Sequence, residues 1–174
     1  MAGIKERLKK LVVQHKAKGI FLDTNVLLLF IFAVYQPSKI GLKRLDKYVK
    51  EDGDLIKNYV NNFSRIITTP HILAETSNLA RQIPKDKHWV ELATKLYPLF
   101  CTAQQDALIQ LNINEHTVDA ELFEKLGLTD AYIASTTVNE QLLLTDDLDL
   151  YLAALSRESD AINFTHMREA AGTV

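Results

Sequence analysis

Asp23, Glu75, Asp130 and Asp147 are the residues of this 174-residue chain whose types and settings could do chemistry. Asp23 closes the apolar run Ile20-Phe21-Leu22 and precedes Thr24-Asn25-Val26-Leu27. An aspartate there can cap a following helix, but Thr24 could do so as well, and acids recur at equivalent places. Glu75 follows Ile72 by three residues and precedes Leu79 by four, so on a helix it shares their apolar face. A carboxylate on such a face needs a polar cleft, a cation or an outlet to water, because burying it alone is costly. Asp130 falls in Leu126-Gly127-Leu128-Thr129-Asp130-Ala131-Tyr132-Ile133-Ala134. Thr129 is the better cap, which leaves Asp130 in the first turn, where the helix dipole favours it, on the face of Ile133 and Ala134.

The segment Leu144-Thr145-Asp146-Asp147-Leu148-Asp149 puts three carboxylates into four positions. They repel one another unless solvated or bound to a cation. Such hard oxygen donors suit Mg2+ or Mn2+. Zinc is disfavoured, since the histidines at 15, 71, 88, 116 and 166 show no close pairing and Cys101 is the lone cysteine.

The elements that must position these acids read as alternating strands and helices. Residues 2–18 form a basic amphipathic helix, ended by Gly19 where a positive φ is wanted. Ile20 to Leu22 reads as a buried parallel strand. Asn25 to Tyr35 reads as a helix closed by Pro37, and residues 39–63 as two polar helices broken near Gly53. Arg65 to Thr69, rich in β-branched residues, is a second strand, with Pro70 opening the next helix. Helices are expected over about 71–83, 86–97, 99–111, 116–126 and 129–139. A strand at Gln141 to Leu144, a helix at Leu148 to Ser156, a strand at Ala161 to Phe164 and a loose tail over about 165–174 complete the reading. The pattern predicts an α/β fold, a three-layer α/β/α sandwich on a short parallel sheet. Ligands in such sheets bind outside the carboxyl ends of the strands, where Asp23 and Asp146-Asp147 fall.

Composition fits one domain spanning 1–174: apolar residues make up 47% and charged residues 24%. The longest apolar run, Val26 to Tyr35, is ten residues, against about twenty for a bilayer crossing. A buried helix is therefore expected, an interface helix being the alternative, with no membrane partner. One cysteine forms no intrachain disulfide, and no secretory signal opens the chain, so a reducing cytoplasm is the expected compartment. The net charge of −2 conceals an asymmetry: residues 1–65 carry +7 and the rest −9. Lys39, Lys43, Lys47 and Lys50 recur at helical spacing, and as a helix would form a basic stripe for a polyanion. Lysines on a solvated face would look the same.

The order Asp-Thr-Asn after a first strand, a helical glutamate, Thr-Asp-Ala-x-Ile-Ala at a helix start and Leu-Leu-Thr-x-Asp after a late strand resembles the PIN-domain superfamily of nucleases, over residues 19–164. The resemblance implies a PIN-like fold with Asp23, Glu75, Asp130 and Asp147 as catalytic, metal-holding acids. Asp146 or Asp149 are alternatives for the fourth, and Asn25 and Thr145 would support the cluster by hydrogen bonds. It further implies a Mg2+- or Mn2+-dependent ribonuclease cutting single-stranded RNA, often the toxin of a toxin–antitoxin pair. An antitoxin, another protein or a second copy in a homodimer would be the protein partners. The basic N-terminal helix and a helical insertion over about 31–65 depart from compact bacterial members. A catalytically idle PIN-like domain that binds RNA or serves as a scaffold is the alternative. An aspartyl phosphotransferase using Asp23 would want a second aspartate where Asn25 stands.

Overall fold

The computed structural model describes residues 2–83, 90–96, 108–110, 120–136 and 141–173. Helix α1 (Ala2–His15) leads through a turn to β1 (Ile20–Leu22) and α2 (Thr24–Tyr35). Two short 3-10 turns, Pro37–Lys39 and Lys43–Leu45, precede α3 (Lys50–Val60), β2 (Ile66–Thr68) and α4 (Pro70–Ala80). After α5 (residues 90–96) come β3 (Leu108–Gln110), α6 (Ala120–Thr136), β4 (Leu142–Thr145), α7 (Leu148–Ser156), β5 (Ala161–Asn163) and α8 (Phe164–Ala171).

The strands form one parallel sheet in the order β3-β2-β1-β4-β5. Their register sets Ile20, Phe21 and Leu22 opposite Leu142, Leu143 and Leu144. All six are fully buried, as central strands covered on both faces require. The chain moves outward from β1 through β2 to β3, then returns to β4 on the other side of β1. With right-handed crossovers, that reversal sets α2, α3 and α4 over one face and α6 and α7 over the other, an arrangement compatible with three layers. The packing of α2 on α3 and α4, and of α6 on α7, agrees. The point of reversal lies between β1 and β4, where two strand ends diverge and leave a crevice.

The ten-residue apolar run forms most of α2, whose Val26, Leu27, Leu28, Leu29, Ile31 and Phe32 are buried. It is thus an interior helix, as its composition demands. Among the described residues, no helix is long and apolar enough to cross a membrane. Gly19 has φ +101°, and a Cβ there would lie 3.0 Å from the Arg65 carbonyl oxygen. The turn from α1 into β1 thus needs glycine both for its backbone and for this close approach.

Four expectations are corrected. Residues 39–63 do not form two helices broken near Gly53. Pro37 just before the segment, and Gly41 at φ +89° and Lys43 at φ +50° early within it, interrupt helical backbone, whereas Gly53 lies inside α3. A Cβ at Gly53 would stand 3.3 Å from that of Ala33 and 2.4 Å from Ile40 Cδ1, so the glycine lets α3 press against α2. Lys39, Lys43, Lys47 and Lys50 consequently lie on two 3-10 turns, a connecting turn and the start of α3, and make no helical stripe.

Residues 108–110, assigned to a helix from the sequence, pair with β2 as a strand. The rest of that expected helix, parts of those at 86–97, 116–126 and 129–139, and Cys101, His88 and His116 lie outside the described residues. The C-terminal residues are not a loose tail. Asn163 caps α8 by accepting the Thr165 N–H at 2.9 Å, Phe164, Met167 and Ala170 are buried, and Gly172 closes the helix at φ +75°. The buried carboxylate of Asp52 ties α8 to α3, ion-paired with Arg168 at 2.9 Å and accepting the Thr173 hydroxyl at 2.7 Å.

Candidate metal and phosphodiester site

The carboxyl ends of β1 and β4 meet at Asp23, which is 3% exposed. Its backbone N–H continues the sheet by donating to Leu144 O at 3.2 Å. Its Oδ1 accepts the Val26 N–H at 2.7 Å, so it does cap α2. Its Oδ2 accepts from the Thr145 hydroxyl and from the Asp146 N–H at 3.1 Å. Capping accounts for one oxygen only; the other is committed to the end of the neighbouring strand. Thr145 Oγ1 in turn accepts the Asp147 N–H at 2.9 Å, and Asp147 caps α7 through Leu150 N–H at 2.9 Å.

Glu75 reaches the same place from α4, which Thr69 caps and Pro70 opens. Its Oε2 accepts the Thr24 hydroxyl at 2.9 Å, and its side chain is exposed rather than covered by the apolar stripe. Asp130 comes from the second half of α6. There Gly127, at φ +78° and ψ +176°, breaks the helix and redirects the chain.

Asp23, Glu75, Asp130 and Asp147 line one cleft of about 270 Å³ with Thr24, Asn25 and residues 126–129. Asn25 is exposed at its rim, while the support expected from it comes from Thr24. As placed, no three acidic, histidine or cysteine side chains among the described residues stand close enough together to enclose an ion.

Negative charge dominates the cleft. Burial, followed by the Asp146 charge, raises the Asp23 carboxyl to about 7. Asp130 is raised to about 6 by burial and then by Asp147 and Glu75. Both carboxyls lie above the ordinary carboxylate range, first because burial disfavours the charged form and then because neighbouring acids add negative charge. A hard divalent cation would relieve that charge, and the all-oxygen donor set fits one.

The three candidates for a fourth acid separate. Asp147 lines the cleft. Asp149 borders a neighbouring depression with Leu122, Lys125 and Leu152. The Asp146 side chain, 4% exposed, does not line the cleft. Its Oδ2 accepts from the Tyr48 hydroxyl and pairs with Lys47 Nζ at 2.5 Å.

Of the four lysines, Lys47 therefore reaches Asp146, while Lys43 Nζ donates to Gln82 O at 2.5 Å. Lys16 sits at the opposite, amino-terminal end of the strands, its carbonyl accepting the Ser64 N–H just before β2 at 2.9 Å. Thr24 and Tyr48 were not selected from the sequence as neighbours of this cluster, and Lys47 was selected only as one lysine of the basic stripe. Thr24 was legible as a polar residue beside Asp23, but nothing in the spacing of Tyr48 points 98 residues along the chain to Asp146. No family model matches the chain, and neither a curated protein nor a solved structure does.

Proposed function

We propose that this chain is a divalent-metal-dependent endoribonuclease with a PIN-like fold, hydrolysing phosphodiester bonds of single-stranded RNA. One observation carries the reading. Four acids from four separate segments line a single cleft at the crossover point of a parallel sheet, where such folds hold ligands.

Asp23, Glu75, Asp130 and Asp147 would hold Mg2+ or Mn2+, which supplies the Lewis acidity and charge neutralisation that phosphodiester hydrolysis requires. Thr145 orients Asp23 and the start of α7 together, and Thr24 orients Glu75. Water attacks phosphorus in line and the 3′-oxygen leaves, giving 5′-phosphate and 3′-hydroxyl ends. The exposure of Glu75 and Asp147 suits an exchangeable hydrated ion better than a caged structural one. The motif order around these acids supports the nuclease reading over other metal-dependent hydrolyses. A toxin role with an antitoxin partner belongs to the same resemblance.

The test is cleavage of a labelled single-stranded RNA by purified protein with Mn2+ or Mg2+, beside the Asp23→Asn protein prepared identically. Products with 5′-phosphate ends that vanish in the variant support the reading. Equal cleavage by both refutes it, and stable RNA binding without cleavage would instead favour an idle RNA-binding domain.

A further inference from the structure

We infer that Tyr48 and Lys47 are positioning residues that hold Asp146 out of the cleft, so that Asp147 rather than Asp146 faces the metal. The inference rests on the metal-site reading above. Asp146 and Asp147 are adjacent at one strand end, and each could in principle turn into the cleft. Their neighbours separate them. Asp147 is fixed toward the cleft side by its cap on Leu150 and by Thr145. Asp146 is drawn the other way by the Tyr48 hydroxyl and the Lys47 ammonium, both on Oδ2. Its Oδ1 is buried and accepts no hydrogen bond among the described residues, so these two donors are the side-chain anchors the protein gives it.

With the carboxylate held back, the Asp146 backbone N–H stays on Asp23 Oδ2, and the strand end keeps its shape. Tyr48 is well suited to the task. It is buried, and burial together with the Asp146 charge raises its hydroxyl far above the usual range, so it remains a donor. Its ring meets Phe164 edge-on at 6.1 Å, and the Arg168 guanidinium lies 5.5 Å from the ring centre. Arg168 Nη2 also donates to the Lys47 carbonyl at 3.0 Å, and its pairing with Asp52 fixes it to α3. The C-terminal helix thereby reaches the neighbours of Asp146 through Phe164 and Arg168.

The experiment is titration of the full chain with Mn2+ alone, following free Mn2+ by its electron paramagnetic resonance signal, with metal-free thermal unfolding alongside. Removing an outer-shell partner of a metal site typically costs about 10–100-fold in affinity. Tyr48→Phe, which keeps the ring contacts, should weaken Mn2+ binding by about tenfold while the metal-free unfolding temperature stays within a few degrees. Asp146→Asn in the Tyr48→Phe background should add little, whereas Asp147→Asn should still abolish binding. Lys47→Gln, at a side chain 50% exposed and so harmless to folding, should weaken binding severalfold. Wild-type affinity in both Tyr48→Phe and Lys47→Gln overturns the inference and leaves the metal site standing. Full additivity of Tyr48→Phe with Asp146→Asn also overturns it. A wild-type chain that binds no Mn2+ overturns the inference and the metal-site reading together.

Discussion

The hydroxyl of Thr145, at the end of β4, donates to the carboxylate of Asp23, at the end of β1. The same hydroxyl oxygen accepts the N–H of Asp147. Two acids 124 positions apart in the sequence are thus held to one completely buried threonine. Replacing it by valine keeps the volume and removes both contacts. Thr145→Val should lose about 1–3 kcal/mol of stability, the cost of leaving buried polar groups unpaired. It should also weaken Mn2+ binding by about 10–100-fold, as loss of an outer-shell partner does. Chemical denaturation and Mn2+ titration of the same preparation check both, and unaltered metal affinity would remove Thr145 from the site.

Asp23→Asn and Asp130→Asn each keep shape and delete a charge. Both should reduce Mn2+ affinity and RNA cleavage by more than about a hundredfold, beyond the range for outer-shell partners, with the fold retained by circular dichroism. Asp149→Asn, outside the cleft, should cleave like the parent. A parent-like Asp130→Asn protein would show that α6 contributes no ligand.

The raised carboxyls make a pH prediction for the metal-free protein. Asp23 at about 7 and Asp130 at about 6 both lie above the unfolded value of 3.8. The folded state therefore binds protons more tightly than the unfolded state between about pH 4 and 7, and stability falls as pH rises through that window. Unfolding temperatures measured from pH 4.5 to 7.5 should decline. Asp23→Asn should remove most of the slope, and saturating Mn2+ should flatten it by taking the place of the protons. A metal-free stability that rises steadily over this window would contradict the charge state assigned to the cleft.

Arg168→Ala should destabilise the protein by about 3 kcal/mol, because it leaves the fully buried Asp52 carboxylate without its cation. Urea unfolding measures this directly. If Tyr48 owes its position to Arg168, the folded variant should also bind Mn2+ more weakly, which a purely local role in anchoring α8 would not produce.

Much of this arrangement was legible in the sequence. Short apolar runs ending in acids gave β1 and β4 and the place of Asp23 and Asp147, because central parallel strands must be apolar until they leave the sheet. Gly19 and Pro70 marked a turn and a helix start through fixed backbone preferences. Helix α7 was expected at Leu148 to Ser156 and lies there. These features are local: each depends on neighbours within a few residues.

Tertiary structure decided what depends on contacts between distant segments. Lysine spacing from 39 to 50 suggested a helix, but the segment instead turns to bury Leu45 and Tyr48 and so carries Lys47 to Asp146. The last ten residues read as a loose tail, because nothing local shows that Asp52 provides a buried partner for Arg168. Nor could adjacency separate Asp146 from Asp147, since two neighbouring aspartates at a strand end are locally equivalent. The sequence by itself determined which acids are available and on which elements they ride. Only the folded chain, by setting a tyrosine and a lysine behind one aspartate and open space before the other, decided which of them faces the cleft.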